Sequence, residues 1–109
     1  RMTIDEIKRL IREGRYEVSI HAQQERLEDD LDIEEIESAV LQGDLIEDYP
    51  TDPRGPSCLV GGLTGAKPIH IVLGWARVKS RSEPILRMIT VYIPRPPKWT
   101  DLRTRGAKP

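Results

Sequence analysis

Hydrophobic side chains in the first part of the chain recur at the three- and four-residue spacing of amphipathic helices. A first helix is predicted over residues 3–14, where Thr3 and Glu6 form a capping box at its start. A second helix is predicted over residues 21–30, and a third over residues 32–43. Glycines end the first and the third of these helices.

From residue 44 onward the pattern changes to that of β-strands, separated by turns rich in proline, glycine and charge. Four strands are predicted, over residues 44–49, 57–63, 68–78 and 85–93, with a polar turn over residues 77–83. Short connections favour antiparallel pairing. Residues 16–20 are predicted either as a short strand or as an extended lead into the second helix, with Ser19 as its N-cap.

The predicted fold is therefore α+β, with two or three N-terminal helices packed on a four-stranded antiparallel sheet. Residues 94–109 contain several prolines, which cannot donate to a sheet ladder, so this segment is predicted as an extended, basic and mobile C-terminal arm. A length of 109 residues suits one hydrophobic core, so residues 1–109 are expected to form a single domain.

The net charge of −1 conceals two oppositely charged halves. Residues 1–52 hold 16 acidic and six basic side chains, a balance of −10, whereas residues 53–109 hold two acidic and 11 basic ones, a balance of +9. Either the halves pack together and partly cancel, or the basic half presents an anion-binding face.

The hydrophobic share of 38% and the charged share of 32% indicate a globular protein rather than a disordered chain. The longest apolar stretch, at residues 69–76, is far shorter than the ~20 residues that span a bilayer. No signal-peptide pattern is visible, and Cys58 is the only cysteine, which excludes a disulfide within the chain. We therefore expect a cytoplasmic protein with no membrane contact and no cofactor.

Several short segments occur in an order that is similar to a known family. They include Ser-Ile-His-Ala at residues 19–22 and Pro-Ile-His-Ile-Val at residues 68–72. The other segments are residues 33–37, 43–49, 53–60, 89–92 and 98–99. Together they resemble the small prokaryotic family catalogued as domain of unknown function 4258. The resemblance covers roughly residues 16–105.

The resemblance implies a RelE/ParE-like toxin superfamily fold and action as a ribonuclease or on other cellular targets. It also implies a small antitoxin partner of zinc-finger or other DNA-binding type, and contact with RNA or the ribosome. The family commonly has Arg four residues after the motif His. Here that position is Glu25, and Arg26 follows it.

Metal-independent RNA cleavage needs a base for the 2′-hydroxyl, an acid for the leaving oxygen and cations for the charged phosphorane. The catalytic candidates are His21, His70 and Tyr92. His21 lies at a helix start, where it either takes part in chemistry or caps the helix. His70 interrupts an apolar strand, as a site residue or as a half-buried His bonded to the backbone. Tyr92 belongs either to the site or to the core, and it can meet His70 across neighbouring strands.

The candidates for nucleic-acid binding are mostly cations of the basic half: Arg26, Arg87, Arg95, Lys98, Trp99 and Arg103. Cations interleaved with Trp99 in the arm fit phosphate contacts and base stacking. They also fit a solubilising tail, or an arm in which Trp99 folds back onto the sheet. Strict alternation along the last strand places Arg87 and Tyr92 on opposite faces unless a bulge intervenes.

Two functions are consistent with these features. The first is the toxin-like component of a toxin–antitoxin pair, acting as a metal-independent endoribonuclease on mRNA. The alternative is a non-catalytic binding module that contacts a protein partner or nucleic acid through its basic sheet face.

Overall fold

The structure is a computed structural model that describes residues 2–77 and 84–106. Its elements are α1 (Ile4–Arg12), β1 (Tyr16–Val18), α2 (Ile20–Glu28), α3 (Ile33–Gln42), β2 (Asp44–Tyr49), β3 (Ser57–Thr64), β4 (Lys67–Trp75) and β5 (Leu86–Tyr92). Within these ranges no helix is long and apolar enough to cross a membrane. The predicted polar turn over residues 77–83 and the predicted end of the third strand at residue 78 lie almost entirely outside the described residues.

The helix termini follow from local side-chain chemistry. Thr3 accepts the Glu6 N–H at the start of α1, and Asp32 and Glu35 form a complete, reciprocal capping box at the start of α3. Gly14, at a φ of 70°, ends α1, where the Arg15 N–H donates to the Leu10 carbonyl over 2.9 Å. This is a Schellman motif, and its left-handed residue explains the glycine.

The sheet has five strands in the order β1-β5-β4-β3-β2, rather than the four predicted antiparallel strands. β2 to β5 pair antiparallel, whereas β1 pairs with β5 in parallel, Glu17 opposite Arg87. Residues 16–18 thus form a strand, and the sheet is mixed. The parallel pairing joins segments 70 residues apart, so no local pattern could indicate it.

One face of the sheet forms the core with the three helices. β5 contributes Leu86, Met88 and Val91 to this core, and its pairing with β4 shifts between Val72 and Leu73. The shift leaves Ile89 as an extra residue, so the strand contains a bulge. Because of the bulge, Arg87 and Tyr92 point away from the core on the same face, which strict alternation excluded.

The C-terminal arm covers part of the opposite face of the sheet, which differs from the predicted extended and mobile arm. Trp99 is 2% exposed, and its backbone pairs with Arg105 in an isolated bridge. A Cβ at Gly61 would lie 2.3 Å from Ile46 Cδ1 and 3.3 Å from Leu102 Cδ1, so this glycine leaves room for Ile46 and for the arm. The arm packs because Trp99 and Leu102 are apolar anchors within a polar, proline-rich segment.

Ion pairs join the acidic first half of the chain to the basic second half. The long-range pairs are Glu17–Arg87, Asp29–Arg95, Glu35–Lys67, Asp44–Arg103 and Glu47–Arg105. Three of these five pairs hold the arm, through Arg95, Arg103 and Arg105. The two halves therefore partly neutralise each other, and the arm contributes less free positive charge than its composition indicates.

The packing of β3 against α3 predicts an intolerant glycine. A Cβ at Gly62 would lie 1.9 Å from the Ala39 carbonyl oxygen, which belongs to the helix backbone and cannot rotate away. We expect Gly62→Ala to lower the free energy of unfolding by about 3 kcal/mol or more, measured by urea denaturation. Gly14→Ala is the control, since a Cβ there meets nothing within 4 Å and only the positive φ costs about 1 kcal/mol. Equal losses in the two variants would contradict this account.

Candidate functional site

A groove of about 750 Å³ lies on the sheet face opposite the helices, beyond the region that the arm covers. Its floor follows one row of paired residues, in which Glu17 of β1 is opposite Arg87 of β5, and Arg87 is opposite Gly74 of β4. Gly74 has no side chain, and a Cβ there would lie 3.0 Å from Ile89 Cδ1. The glycine therefore keeps the floor open between Arg87 and the turn that leads into β3.

Three guanidinium groups line this groove. Arg87 pairs with Glu17, and Arg54 pairs with Asp52 over 3.1 Å. The Asp52 carboxylate also accepts from the Ser57 hydroxyl, and these contacts, those with Arg54 first, hold its pKa far below the usual range. Arg77 reaches the Arg54 carbonyl over 3.5 Å. The groove thus combines one exposed carboxylate with three cations that can contact a phosphate.

His21 lies at the edge of the same groove, in the first turn of α2. Its side chain is 66% exposed, and its Nε2 lies 3.3 Å from Glu25 Oε1. The N-cap of α2 is Ser19, whose hydroxyl accepts from the Ala22 N–H and donates to the Ile89 carbonyl. The hydroxyl of Ser19 thereby ties the start of the helix to β5, and the exposed His21 side chain is free of a capping role.

Glu25 and Asp29 of this helix also bind the edge of β5. Glu25 accepts the Val91 N–H over 3.0 Å, and Asp29 accepts the Ile93 N–H over 2.9 Å. β1 is only three residues long, so these carboxylates take the place of a strand partner for the rest of that edge. A carboxylate at position 25, where an Arg is expected, therefore has a structural role in this chain.

His70 and Tyr92 lie together beneath the arm, away from the groove. The Tyr92 hydroxyl lies 3.1 Å from His70 Nδ1, and the Leu102 carbonyl lies 2.6 Å from Nε2. Because a carbonyl can only accept, Nε2 carries the proton and Nδ1 accepts from the Tyr92 hydroxyl. The Trp99 ring packs edge-on against the imidazole at a centroid distance of 4.5 Å. His70 is fully buried and fastens the arm to the sheet.

Burial sets the protonation of this cluster. It lowers the pKa of His70, against the opposing effects of the Leu102 carbonyl and Glu47. It also raises the pKa of Tyr92. Nearby, two parallel hydrogen bonds of 2.8 Å from Arg105 hold the pKa of Glu47 at about 2. A neutral imidazole therefore lies beside a permanent ion pair.

The family model described as Domain of unknown function (DUF4258) matches residues 18–93. The chain belongs to this family. No curated protein and no solved structure matches the chain.

The matched DUF4258 segment contains all three catalytic candidates, but the structure separates them. His21 lies in the groove, whereas His70 and Tyr92 form the buried cluster. Within residues 2–77 and 84–106 no group of three or more His, Cys, Asp or Glu side chains could hold a metal ion.

Of the nucleic-acid candidates in the DUF4258 segment, only Arg87 lies in the groove. Arg26 donates to Gln23 and to the Leu31 carbonyl, and so closes the end of α2. Beyond the matched segment, Arg95 and Arg103 pair with acidic residues, Trp99 is buried, and Lys98 is exposed.

Several groove residues of this DUF4258 chain were not predicted to belong to a site, among them Glu17, Gly74 and Arg77. Glu17 and Gly74 flank Arg87 only through the β1–β5 and β4–β5 registers. One signal was present, since an isolated glycine within an apolar strand often marks the close approach of other groups. Arg54, in the turn that precedes β3, forms an ion pair with Asp52.

The buried imidazole predicts a specific dependence of stability on pH. The folded-state pKa of His70 lies below its ordinary value of 6.5, so between the two values the unfolded chain binds more protons. This contribution to the free energy of unfolding is complete above pH 6.5 and is lost as the pH falls toward the folded pKa. We expect His70→Gln to remove this pH dependence. The substitution should also lower the free energy of unfolding by about 1–3 kcal/mol at neutral pH, because Tyr92 and Leu102 lose their hydrogen-bond partner.

Urea denaturation between about pH 7.5 and about pH 5 measures this effect. His21→Gln is the matched control, since it removes the chain's other histidine, which is exposed. A pH dependence in this range that survives in His70→Gln but disappears in His21→Gln would contradict the assignment.

Proposed function

We propose that the protein is the toxin-like component of a prokaryotic toxin–antitoxin pair and cleaves mRNA in the groove without a metal. The observation that carries this proposal is the grouping of His21, Glu17 and Arg87 along one open groove. An imidazole and a carboxylate are the acid–base pair that RNA cleavage needs, and a guanidinium can stabilise the phosphorane.

The exposure of these groups supports the proposal. Arg87 and Glu17 are 43% and 42% exposed, and His21 is 66% exposed, so an RNA backbone can reach each of them. In the proposed reaction the 2′-oxygen attacks the adjacent phosphorus while one member of the acid–base pair, His21 or Glu17, takes its proton. The 5′-oxygen leaves with a proton from the other member, and a 2′,3′-cyclic phosphate forms. Arg87 exchanges Glu17 for the phosphate oxygens, since guanidinium groups bind both anions in the same bidentate way.

Fold-level features support a relationship with the RelE/ParE-like superfamily, which remains part of the proposal. Helices precede an antiparallel succession of strands from β2 to β5, as in the predicted architecture. A protein antitoxin, contact with the ribosome and a cytoplasmic location belong to the same proposal. His70 and Tyr92 have a supporting role in it, because they hold the arm.

The proposal predicts that removal of the Arg87 guanidinium slows cleavage. We expect Arg87→Gln to slow cleavage of a labelled single-stranded RNA by about 100-fold, because a fixed cation at the phosphorane is lost. Arg9→Gln is the matched control. Arg9 is 46% exposed and pairs with Glu13 much as Arg87 pairs with Glu17, but on α1 outside the groove. His21→Ala is expected to slow cleavage by about 100-fold or more.

Two further experiments identify the chemistry. A substrate with a 2′-deoxynucleotide at the cleaved position should resist cleavage, and a chelator should leave the rate unchanged. Wild-type protein that neither cleaves RNA nor arrests growth when expressed in a bacterium would overturn the proposal. Equal activity in the Arg87 and Arg9 variants would overturn the assignment of the groove.

A non-catalytic binding module is the second candidate function, and one observation favours it. Two of the three groove arginines already have carboxylate partners, and one of those partners is Glu17, the carboxylate that the acid–base chemistry would use. Such a module would bind RNA with an affinity that falls steeply with salt, and would not turn it over. Fluorescence anisotropy with the same RNA, at low and high salt, distinguishes the two functions.

A further inference from the structure

Helix α2 presents its large apolar side chains to solvent instead of to the core. Ile20 is 80% exposed and Leu27 is 63% exposed, whereas Ala22 is the buried residue of the helix. The two exposed residues are seven apart, and therefore lie on one side of the helix about 10 Å from each other. Between them on the exposed surface lie Gln23 and Gln24, which carry no charge.

This stripe borders a shallow, mainly apolar groove of about 420 Å³. Val18, Ile20 and Ile33 supply its apolar lining. The Arg26 side chain also lines it, and its Nε and Nη1 donate to Gln23 and to the Leu31 carbonyl. We define the α2 surface as this groove together with Ile20 and Leu27.

The charge around the α2 surface is acidic. Glu28, Asp30 and Glu34 are exposed near its Leu27 and Ile33 end, and within the described ranges none of them has an ion-pair partner. Within the described residues, six other carboxylates of the first half are paired with cations of the second half. Glu28, Asp30 and Glu34 therefore form an acidic rim along the α2 surface, and this rim attracts positive charge.

We propose that the α2 surface binds an amphipathic helix of a partner protein, with apolar residues on one face and Lys or Arg beside them. The seven-residue spacing of Ile20 and Leu27 matches two turns of such a helix, which can lie along the groove with its apolar face inward. Its cations then meet Glu28, Asp30 and Glu34. This inference depends on the surface alone and not on RNA cleavage.

A second copy of the chain is a poorer occupant than a separate basic partner. A second copy would have to supply cations from its basic arm. Three cations of that arm already pair with acidic residues of their own chain: Arg95, Arg103 and Arg105. A second copy would have to give up those pairs in order to neutralise the acidic rim. Self-association is therefore an outcome that the experiment must distinguish.

The test uses a synthetic helical peptide with Leu along one face and Lys along the other, titrated against the whole chain by fluorescence anisotropy. A peptide with Glu in place of Lys tests charge, and a scrambled peptide without an apolar face tests amphipathicity. We expect the Lys peptide to bind most tightly. Ile20→Ser with Leu27→Ser should weaken that binding about tenfold or more, because anchoring side chains dominate such contacts.

Two further variants make the result specific. Glu28→Lys with Glu34→Lys should also weaken binding of the Lys peptide while leaving the apolar stripe intact. Leu63→Ser is the matched control, since Leu63 is the other large hydrophobic residue exposed in the described chain, at 46%, and lies on β3. Thermal unfolding confirms that each variant is folded.

Several outcomes would overturn the proposal. They are failure of the Lys peptide to bind the wild-type chain, equal binding of the scrambled or Glu peptide, and unchanged binding by the Ile20 and Leu27 double variant. The last experiment measures the oligomeric state by sedimentation. If the wild type is a dimer that the double variant converts to a monomer, the α2 surface contacts a second copy and the proposed partner is wrong.

Discussion

The edge of β5 is the constraint on which much of this structure depends. β1 covers only three residues of that edge, and beyond it the N–H groups of Val91 and Ile93 still need acceptors. Glu25 and Asp29, one helical turn apart, provide them. A helical turn of four residues advances about 6 Å and two strand residues advance about 6.6 Å, so the two spacings match.

This match fixes the position of α2, and with it both surfaces of interest. The helix must lie along β5 with Glu25 and Asp29 toward the strand. Its first turn then places His21 at the edge of the groove that Arg87 and Glu17 line. Ile20 and Leu27 are left on the side of the helix that meets solvent. A single set of backbone hydrogen bonds thus orients a candidate catalytic side chain and a candidate docking surface.

The separation of charge along the chain has a comparable role in holding the fold together. Isolated surface ion pairs contribute little to stability, but here they are arranged between segments that are distant in sequence. Three of them hold the arm over the sheet, where His70, Trp99 and Leu102 form the apolar and hydrogen-bonded part of the same contact. The arm is consequently part of the folded domain, and its cations are structural before they are available to any ligand.

Local chemistry made the helices predictable, because capping residues and terminating glycines act within a few residues of one another. The antiparallel strands were predictable for the same reason. Non-local pairing was not predictable. The parallel contact of β1 with β5, the bulge at Ile89 and the ion pair of Glu17 with Arg87 each depend on segments far apart in sequence.

The arm was predicted as extended because its prolines and cations outnumber the two apolar anchors, Trp99 and Leu102. Of the candidate site, His21 and Arg87 were found from the sequence, whereas the groove that unites them follows from the sheet register.

The strand order β1-β5-β4-β3-β2 also bears on how the chain folds as it leaves the ribosome. The two strands that are synthesised first are the two outer edges of the sheet, and β1 has no partner until β5, the last strand, has emerged. Until then the nascent chain carries more acidic than basic side chains, and Glu17, Asp29, Asp44 and Glu47 lack the cations that pair with them. Contacts between such distant segments form slowly, since a long loop must close before they contribute. Closure of the sheet, and of the arm over it, therefore comes only after β5 and the arm have been synthesised.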